Sequence, residues 1–464
     1  MDGNVARVRA RYAPAHECFP REPAPSRQLG CLAASRGWAA VPEPAVSPVE
    51  PGDPARRAVC VAGAMAPWVG PDAQAAAPGA VAQPVPGGPS ASAASPWARI
   101  DAAVARAVAE GRLPGAVVRV EHHGAGRAAV HDSVVGRKAL EPAPEPLDAA
   151  TVYDAASLTK VVVTAPVLMR LVEGGALDLA TPVRRIVPAF GGGDGITVRH
   201  LLTHTSGLPA SLPLETPWAG HDEAVALACR SQPTHAPDGL FRYSDVNFVL
   251  LGDIALRLAG RPLDALARAW IFEPLGMRDS GYRPLQHLPA PRIAPTEWVD
   301  DTGARRLLRG VVHDPTARRM GGVAGHAGLF STAADIARYA RMVLEGGRLD
   351  GATVLRESTV ARMTAVATPP ALAERRSLGW DIDTPLSRAR GRHPRPGSFG
   401  HTGFTGCALW IDPPRRLFHV LLSNRVHPRT RDSIVAVYEQ VATLAAQAVA
   451  GFDFDRVKGA LAPR

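Results

Sequence analysis

Two blocks of short alternating segments stand at opposite ends of the patterned part of the chain, with a long helical stretch between them. The first block covers 115–124 and 128–136, two apolar-rich runs joined by a glycine-containing turn. The second covers 398–404, 406–412 and 417–424, with Pro413-Pro414-Arg415 as one turn. Strands must find partners, and those at each end have only helical sequence separating them. The pattern predicts an α+β fold: a mainly antiparallel sheet built from both chain ends, flanked by helices, with a helical lobe inserted between.

The flanking helices are expected from Ile100 to Gly111 and over 431–450. In the middle, 157–173 reads as an amphipathic helix closed by Gly174 and Gly175, with Pro166 predicted to kink or break it. Further helices are expected over 223–230, 246–260, 262–270 and 333–346. Residues 1–96 are different. They are rich in Ala, Pro, Gly and Arg without helical or strand periodicity, and read as a disordered leader. Residues 451–464 read as a tail.

Composition removes several function classes. The formal net charge is +9, but the arginines are dispersed and no long basic block occurs, so nucleic-acid binding is not expected. No apolar run reaches the ~18 residues of a membrane span. The segment 56–77 is faintly like a signal peptide, but Pro67, Gly70, Pro71 and Asp72 interrupt it. The compartment therefore stays open between periplasmic or secreted and cytoplasmic. The five cysteines are odd in number and widely spaced, with no CxxC pair, and the histidines show no HExxH spacing. Neither a disulfide framework nor a metal or other cofactor is expected.

Lysine occurs only at Lys138, Lys160 and Lys458, so a lysine kept at a special place is informative. Lys160 closes the run Ser157-Leu158-Thr159-Lys160 at a predicted helix start. Residues three apart share a helix face, so hydroxyl and amine can meet. The helix dipole favours a developing alkoxide on Ser157. Dipole and desolvation together predict a lowered Lys160 pKa and a neutral amine able to accept the serine proton.

Two weaker groupings follow. Tyr243-Ser244-Asp245 precedes an apolar helix; a phenol close to Lys160 can serve as general base and then general acid. Taken alone it reads as Asp245 capping a helix and Tyr243 packing in a core. Gly400-His401-Thr402-Gly403 lies in a strand-like stretch whose small residues suit an edge strand that a substrate can approach. A backbone N–H there, with that of Ser157, would form an oxyanion hole. His204 reads as a loop brace, His326 in its Gly-flanked loop as a substrate-pocket residue, and Asp335 as part of a helix start after Thr332.

The joint pattern resembles the class C β-lactamase-like serine hydrolases, which include D-alanyl-D-alanine carboxypeptidases, D-aminopeptidases and esterases. The matching stretches are VYDAASLTK (152–160), LLTHTSGLP (201–209), RYSDVNFVLLGDI (242–254), GGVAGHAGLFSTAADIARYARM (321–342) and GHTGFTG (400–406). The resemblance implies a β-lactamase/transpeptidase-like domain over 97–450. It implies Ser157 as nucleophile, Lys160 as its partner and Tyr243 as the family's catalytic tyrosine. Asp245, His401, Thr402, Gly403 and His326 would contact substrate, and Phe404 would give the second oxyanion-hole N–H.

Two positions depart from the β-lactamase pattern. Asp245 stands where Tyr-x-Asn has its asparagine, and His401 where Lys-Thr-Gly has its lysine. Both changes suit the esterase and peptidase branches better than β-lactam hydrolysis. The expected activity is acyl transfer to water from a small acyl ester or peptide, leaning to an ester. The rivals are a D-amino-acid peptidase or carboxypeptidase, a weak β-lactamase, and a sensor that acylates without turnover.

Overall fold

The computed structural model describes residues 96–450 apart from 125–127, 301–302, 394–396 and 430–432. The leader 1–95, its signal-like segment 56–77 and the tail 451–464 lie outside the described residues. The N-terminal elements are helix α1 (Pro96–Ala109) and strands β1 (Gly115–His122), β2 (Ala129–Ala139) and β3 (Glu145–Pro146). The middle holds helices α2 (Ala165–Glu173), α3 (His221–Arg230), α4 (Asp245–Ala259) and α5 (Ala333–Leu344). The C-terminal part adds β4 (Arg375–Arg376), β5 (Asp381–Asp383), β6 (Phe399–Gly403), β7 (Cys407–Asp412), β8 (Leu417–Ser423) and helix α6 (Val435–Ala450).

Among the described residues eight strands form one sheet, in the order β4-β5-β6-β7-β8-β1-β2-β3. Each pair is antiparallel. The junction of the two chain ends is β1 against β8, running from Ala116 opposite Ser423 to His122 opposite Leu417. This is the sheet from both ends that the two strand blocks predict.

Side-chain alternation assigns the two faces. Val118, Val120, Trp410 and Leu421 join Ile100 and Val104 of α1 and Val441 of α6 in one apolar cluster. Their neighbours Val117, Leu409, Val420 and Leu422 point the other way, into a larger cluster with Val161, Leu168, Ile254, Ile336 and Tyr339. Because both faces are covered, β1 and β8 read as near-continuous apolar runs. Among the described residues no helix is long and apolar enough to cross a membrane.

Pro166 leaves its predicted mark. It has no N–H to give to the carbonyl four residues back, and its ring crowds that carbonyl. The chain answers with a π turn over Lys160–Thr164, where the Ala165 N–H reaches Lys160 O, and a regular α-helix resumes with Pro166 in its first turn.

Two expectations are corrected. Asp245 does not cap α4: Ser244 does, its hydroxyl accepting from the Asn247 N–H at 3.3 Å. This frees the Asp245 carboxylate. Nor is β6 the outermost strand, since β5 pairs with it. That pairing is confined to Asp381 opposite Gly400, so the outer edge of β6 is unpaired beyond this point.

Candidate active site

Ser157 sits three residues before the start of the π turn. Ala156, the residue preceding it, has φ +47°, a left-handed conformation that costs a non-glycine residue energy. The surroundings over-determine that turn. The Ala156 N–H donates to Asp154 Oδ1 at 2.9 Å, and the other Asp154 oxygen accepts from the His313 N–H at 2.7 Å. Thr405 Oγ1 donates to Asp154 O at 2.7 Å. Gly403 completes the junction: a Cβ there would lie 2.5 Å from Ala155 O, so only glycine lets β6 close on the segment that carries Ser157.

From this turn the helical backbone begins, the Lys160 N–H reaching Ser157 O at 3.0 Å. The Lys160 side chain is fully buried and meets three acceptors: Ser157 Oγ at 3.0 Å, His326 O at 3.0 Å and Asp245 Oδ1 at 2.7 Å. The Tyr243 hydroxyl is also in hydrogen-bond range, so the three N–H donors of the ammonium, which has no lone pair, face only oxygen acceptors. Burial pulls the Lys160 pKa down, but the Asp245 carboxylate and the Tyr243 oxygen beside it more than offset this, and the value stands above that of an ordinary lysine. The expectation of a lowered pKa and a neutral amine is therefore overturned, because the freed Asp245 carboxylate reaches the amine.

Tyr243 lies beside this cation, its ring centroid 5.0 Å from Lys160 Nζ. His204 stacks on the Tyr243 ring at 4.5 Å, and His401 of β6 is 5.9 Å away, tilted. His204 Nδ1 accepts from the Ser244 N–H at 3.0 Å, the loop-bracing role expected of it. His401 is also buried, and its Nδ1 is 2.8 Å from Thr402 O. Burial first, then the charges of Arg376 and Lys160, holds both imidazoles well below the usual histidine pKa.

His326 enters the cluster through its carbonyl, while its ring turns the other way. Nε2 is 2.7 Å from Asp314 Oδ1, which also caps the short helix Pro315–Arg319. Burial pushes Asp314 up, but His326 and the Ala317 N–H outweigh this and set its carboxyl below the ordinary value. Phe404 is exposed, stacked on His313 at 5.6 Å with the Arg425 guanidinium 4.6 Å from its ring. Among the described residues neither the Ser157 nor the Phe404 backbone N–H has a hydrogen-bond acceptor.

Sequence reasoning missed Asp154, Asp314 and Arg376. Arg376 is wholly buried, 3.8 Å from Asp381, donating to Gly379 O at 2.8 Å. Asp154 alone had a local signal, its place three residues before a serine at a helix start. As for Thr332 and Asp335, the threonine hydroxyl accepts from the Asp335 N–H at 3.2 Å, while the Asp335 carboxylate accepts from the Asp279 N–H and Ser280 Oγ.

Comparison with known proteins shows the family and the fold. The sequence profile of the family described as Beta-lactamase matches residues 100–443. A putative D-alanyl-D-alanine carboxypeptidase of Salmonella schwarzengrund (strain CVM19633) is 31% identical over 343 residues, covering 67% of this chain and 78% of that protein. An N-acetylmuramyl-L-alanine amidase of Bacillus subtilis (strain 168) is 33% identical over 370 residues, covering 71% and 81%. Among solved structures, EstCE1, a hydrolase with promiscuous acyltransferase activity, superimposes with a TM-score of 0.60 at 21% identity, covering 75% of this chain and 98% of that one.

Proposed function

The chain belongs to the β-lactamase family, and from that premise we propose that it is a serine hydrolase that opens an ester or amide bond through an acyl-enzyme on Ser157. One observation carries the assignment of residues. The Lys160 ammonium, held by Asp245 at 2.7 Å, points a hydrogen at Ser157 Oγ from 3.0 Å. A cation donating to that oxygen stabilises the alkoxide and leaves the serine O–H to turn toward another acceptor.

Tyr243 is that acceptor. Working as a phenolate held beside the Lys160 cation, it takes the serine proton and becomes the phenol as Oγ forms its bond to the substrate carbonyl carbon. The carbonyl oxygen becomes an oxyanion facing the N–H groups of Ser157 and Phe404. Collapse breaks the bond to the leaving alcohol or amine, which receives the proton from Tyr243. Water then attacks the acyl-enzyme, Tyr243 takes its proton, and Ser157 leaves reprotonated as the acid is released. Lys160 stays charged throughout.

The substrate reading leans to a small acyl ester. A second reading, a peptidase acting on D-amino-acid peptides, is supported by the name of the Salmonella relative. The domain carrying the activity is assigned to 97–450, with 1–96 as leader.

The test is intact-protein mass after exposure to a fluorophosphonate and, separately, to penicillin, on wild type and Ser157→Ala. The expected result is a fluorophosphonate adduct on wild type and none on the variant. A lasting penicillin adduct without ester turnover would favour the peptidase or the non-turnover sensor. Absence of any adduct on folded wild type would overturn the assignment.

A further inference from the structure

The His401 side chain makes one hydrogen bond among the described residues, from Nδ1 to the Thr402 carbonyl at 2.8 Å. A carbonyl oxygen only accepts, so Nδ1 carries the proton. A neutral imidazole with its proton on Nδ1 has a bare lone pair on Nε2. Among the described residues no group is hydrogen-bonded to that lone pair.

The surroundings keep the ring neutral. It is buried on the face of β6 that meets Tyr243, with Lys160 and Arg376 as the nearby cations. Asp245 is already paired with Lys160, and Asp381 with Arg376. Adding a proton would place a third positive charge in a buried pocket without a free counter-charge. Arg376 is itself wholly buried, over the Phe241 ring at 5.5 Å, and does not present its guanidinium to a substrate.

Among the described residues no strand pairs with the outer edge of β6 beyond Gly400. An acyl chain lying along that edge brings one of its groups against the His401 ring. A carboxylate there would set lone pair against lone pair. An ammonium would meet the field of two cations. We propose that His401 is the hydrogen-bond acceptor of the substrate pocket, and that the substrate group it meets is an uncharged N–H or O–H donor. This rests on the acyl-enzyme reading above and narrows its substrate class to acyl groups ending in an amide or hydroxyl.

The test uses nitrophenyl esters, in a series of chain lengths, identical except that the acyl chain ends in a carboxamide or a carboxylate. Wild type is expected to prefer the carboxamide by about tenfold or more in kcat/KM, mostly through KM. His401→Gln, whose side-chain oxygen still accepts, keeps that order, and His401→Lys reverses it. Equal rates or a carboxylate preference in wild type, with Ser157 still labelled by a fluorophosphonate, overturns this inference alone. Failure of Ser157 to label overturns the acyl-enzyme reading as well. Independently of turnover, ¹H–¹⁵N correlation of the histidine rings in wild type should show the Nδ1–H tautomer of His401 at neutral pH. An Nε2–H tautomer or an imidazolium would overturn it.

Discussion

Two buried polar clusters lie on opposite faces of the sheet, and both contain histidines and carboxylates. On the lobe side are Ser157, Lys160, Tyr243, Asp245 and His401. On the other face, beneath α6, His393 Nδ1 meets Asp412 at 2.9 Å, Arg415 joins the same carboxylate at 2.8 Å, and the His419 ring stacks on His393 at 6.0 Å. The rear cluster draws on one local stretch of chain. The front one draws on three distant segments, two of which meet at the Lys160 nitrogen. Burial of titratable groups is common to both, so burial does not by itself make a site. The front cluster adds a cation with a defined set of acceptors, a hydroxyl beside it, and an open strand edge along which a substrate can lie.

The strongest way to break this contrast is Tyr243→Phe. Under the proposed mechanism the phenol handles the proton in both half-reactions, and its removal is expected to lower ester kcat/KM by about 10²–10⁴-fold. The ring remains, so its stacking on His204 and the fold are retained. A variant within threefold of wild type would show that the proton goes elsewhere.

Asp245→Asn tests the charge state of Lys160, with a smaller expected loss of about 10–100-fold at neutral pH. Removing the carboxylate leaves burial to dominate, so the lysine pKa falls from its raised position. The ammonium is then lost at lower pH, and the alkaline decline of kcat/KM should begin earlier than in wild type. If a neutral amine were the working base, the variant would instead gain activity near neutrality. The two outcomes have opposite signs.

What could be read from the sequence follows the range of the interactions. The strand blocks, the Ser157–Lys160 spacing and the break at Pro166 depend on residues close in the chain, and local periodicity displays them. The charge on Lys160 does not. It depends on which carboxylate reaches the amine, and that turned on a detail of the α4 terminus: Ser244 takes the capping role and releases Asp245. Arg376 and Asp314 were equally hidden, because an arginine before Ser-Leu-Gly-Trp or an aspartate before Pro has no local sign of burial. The unpaired edge of β6 depends on how briefly β5 runs beside it, which is a matter of register rather than composition.

The smallest expected effect lies in the rear cluster, and it concerns stability rather than turnover. Burial first, then the neighbouring His393, lowers the His419 pKa from 6.5 to about 3. A group whose folded pKa is depressed supports the fold fully above its unfolded pKa, and that support is lost as pH falls toward the folded value. The window is therefore about pH 6.5 down to 3, and the total at stake is on the order of 5 kcal/mol. Asp412, also depressed, works in the same direction at the acid end of that range. In His419→Leu the histidine share of this slope disappears. Denaturant unfolding at pH 7, 5 and 4 should show wild type losing stability more steeply than the variant, with ester turnover at pH 7 equal in the two. Parallel losses would mean that His419 is not held neutral by its burial. A drop in turnover would mean that the two faces of the sheet are coupled, and the separation between a working cluster and a merely buried one would have to be redrawn.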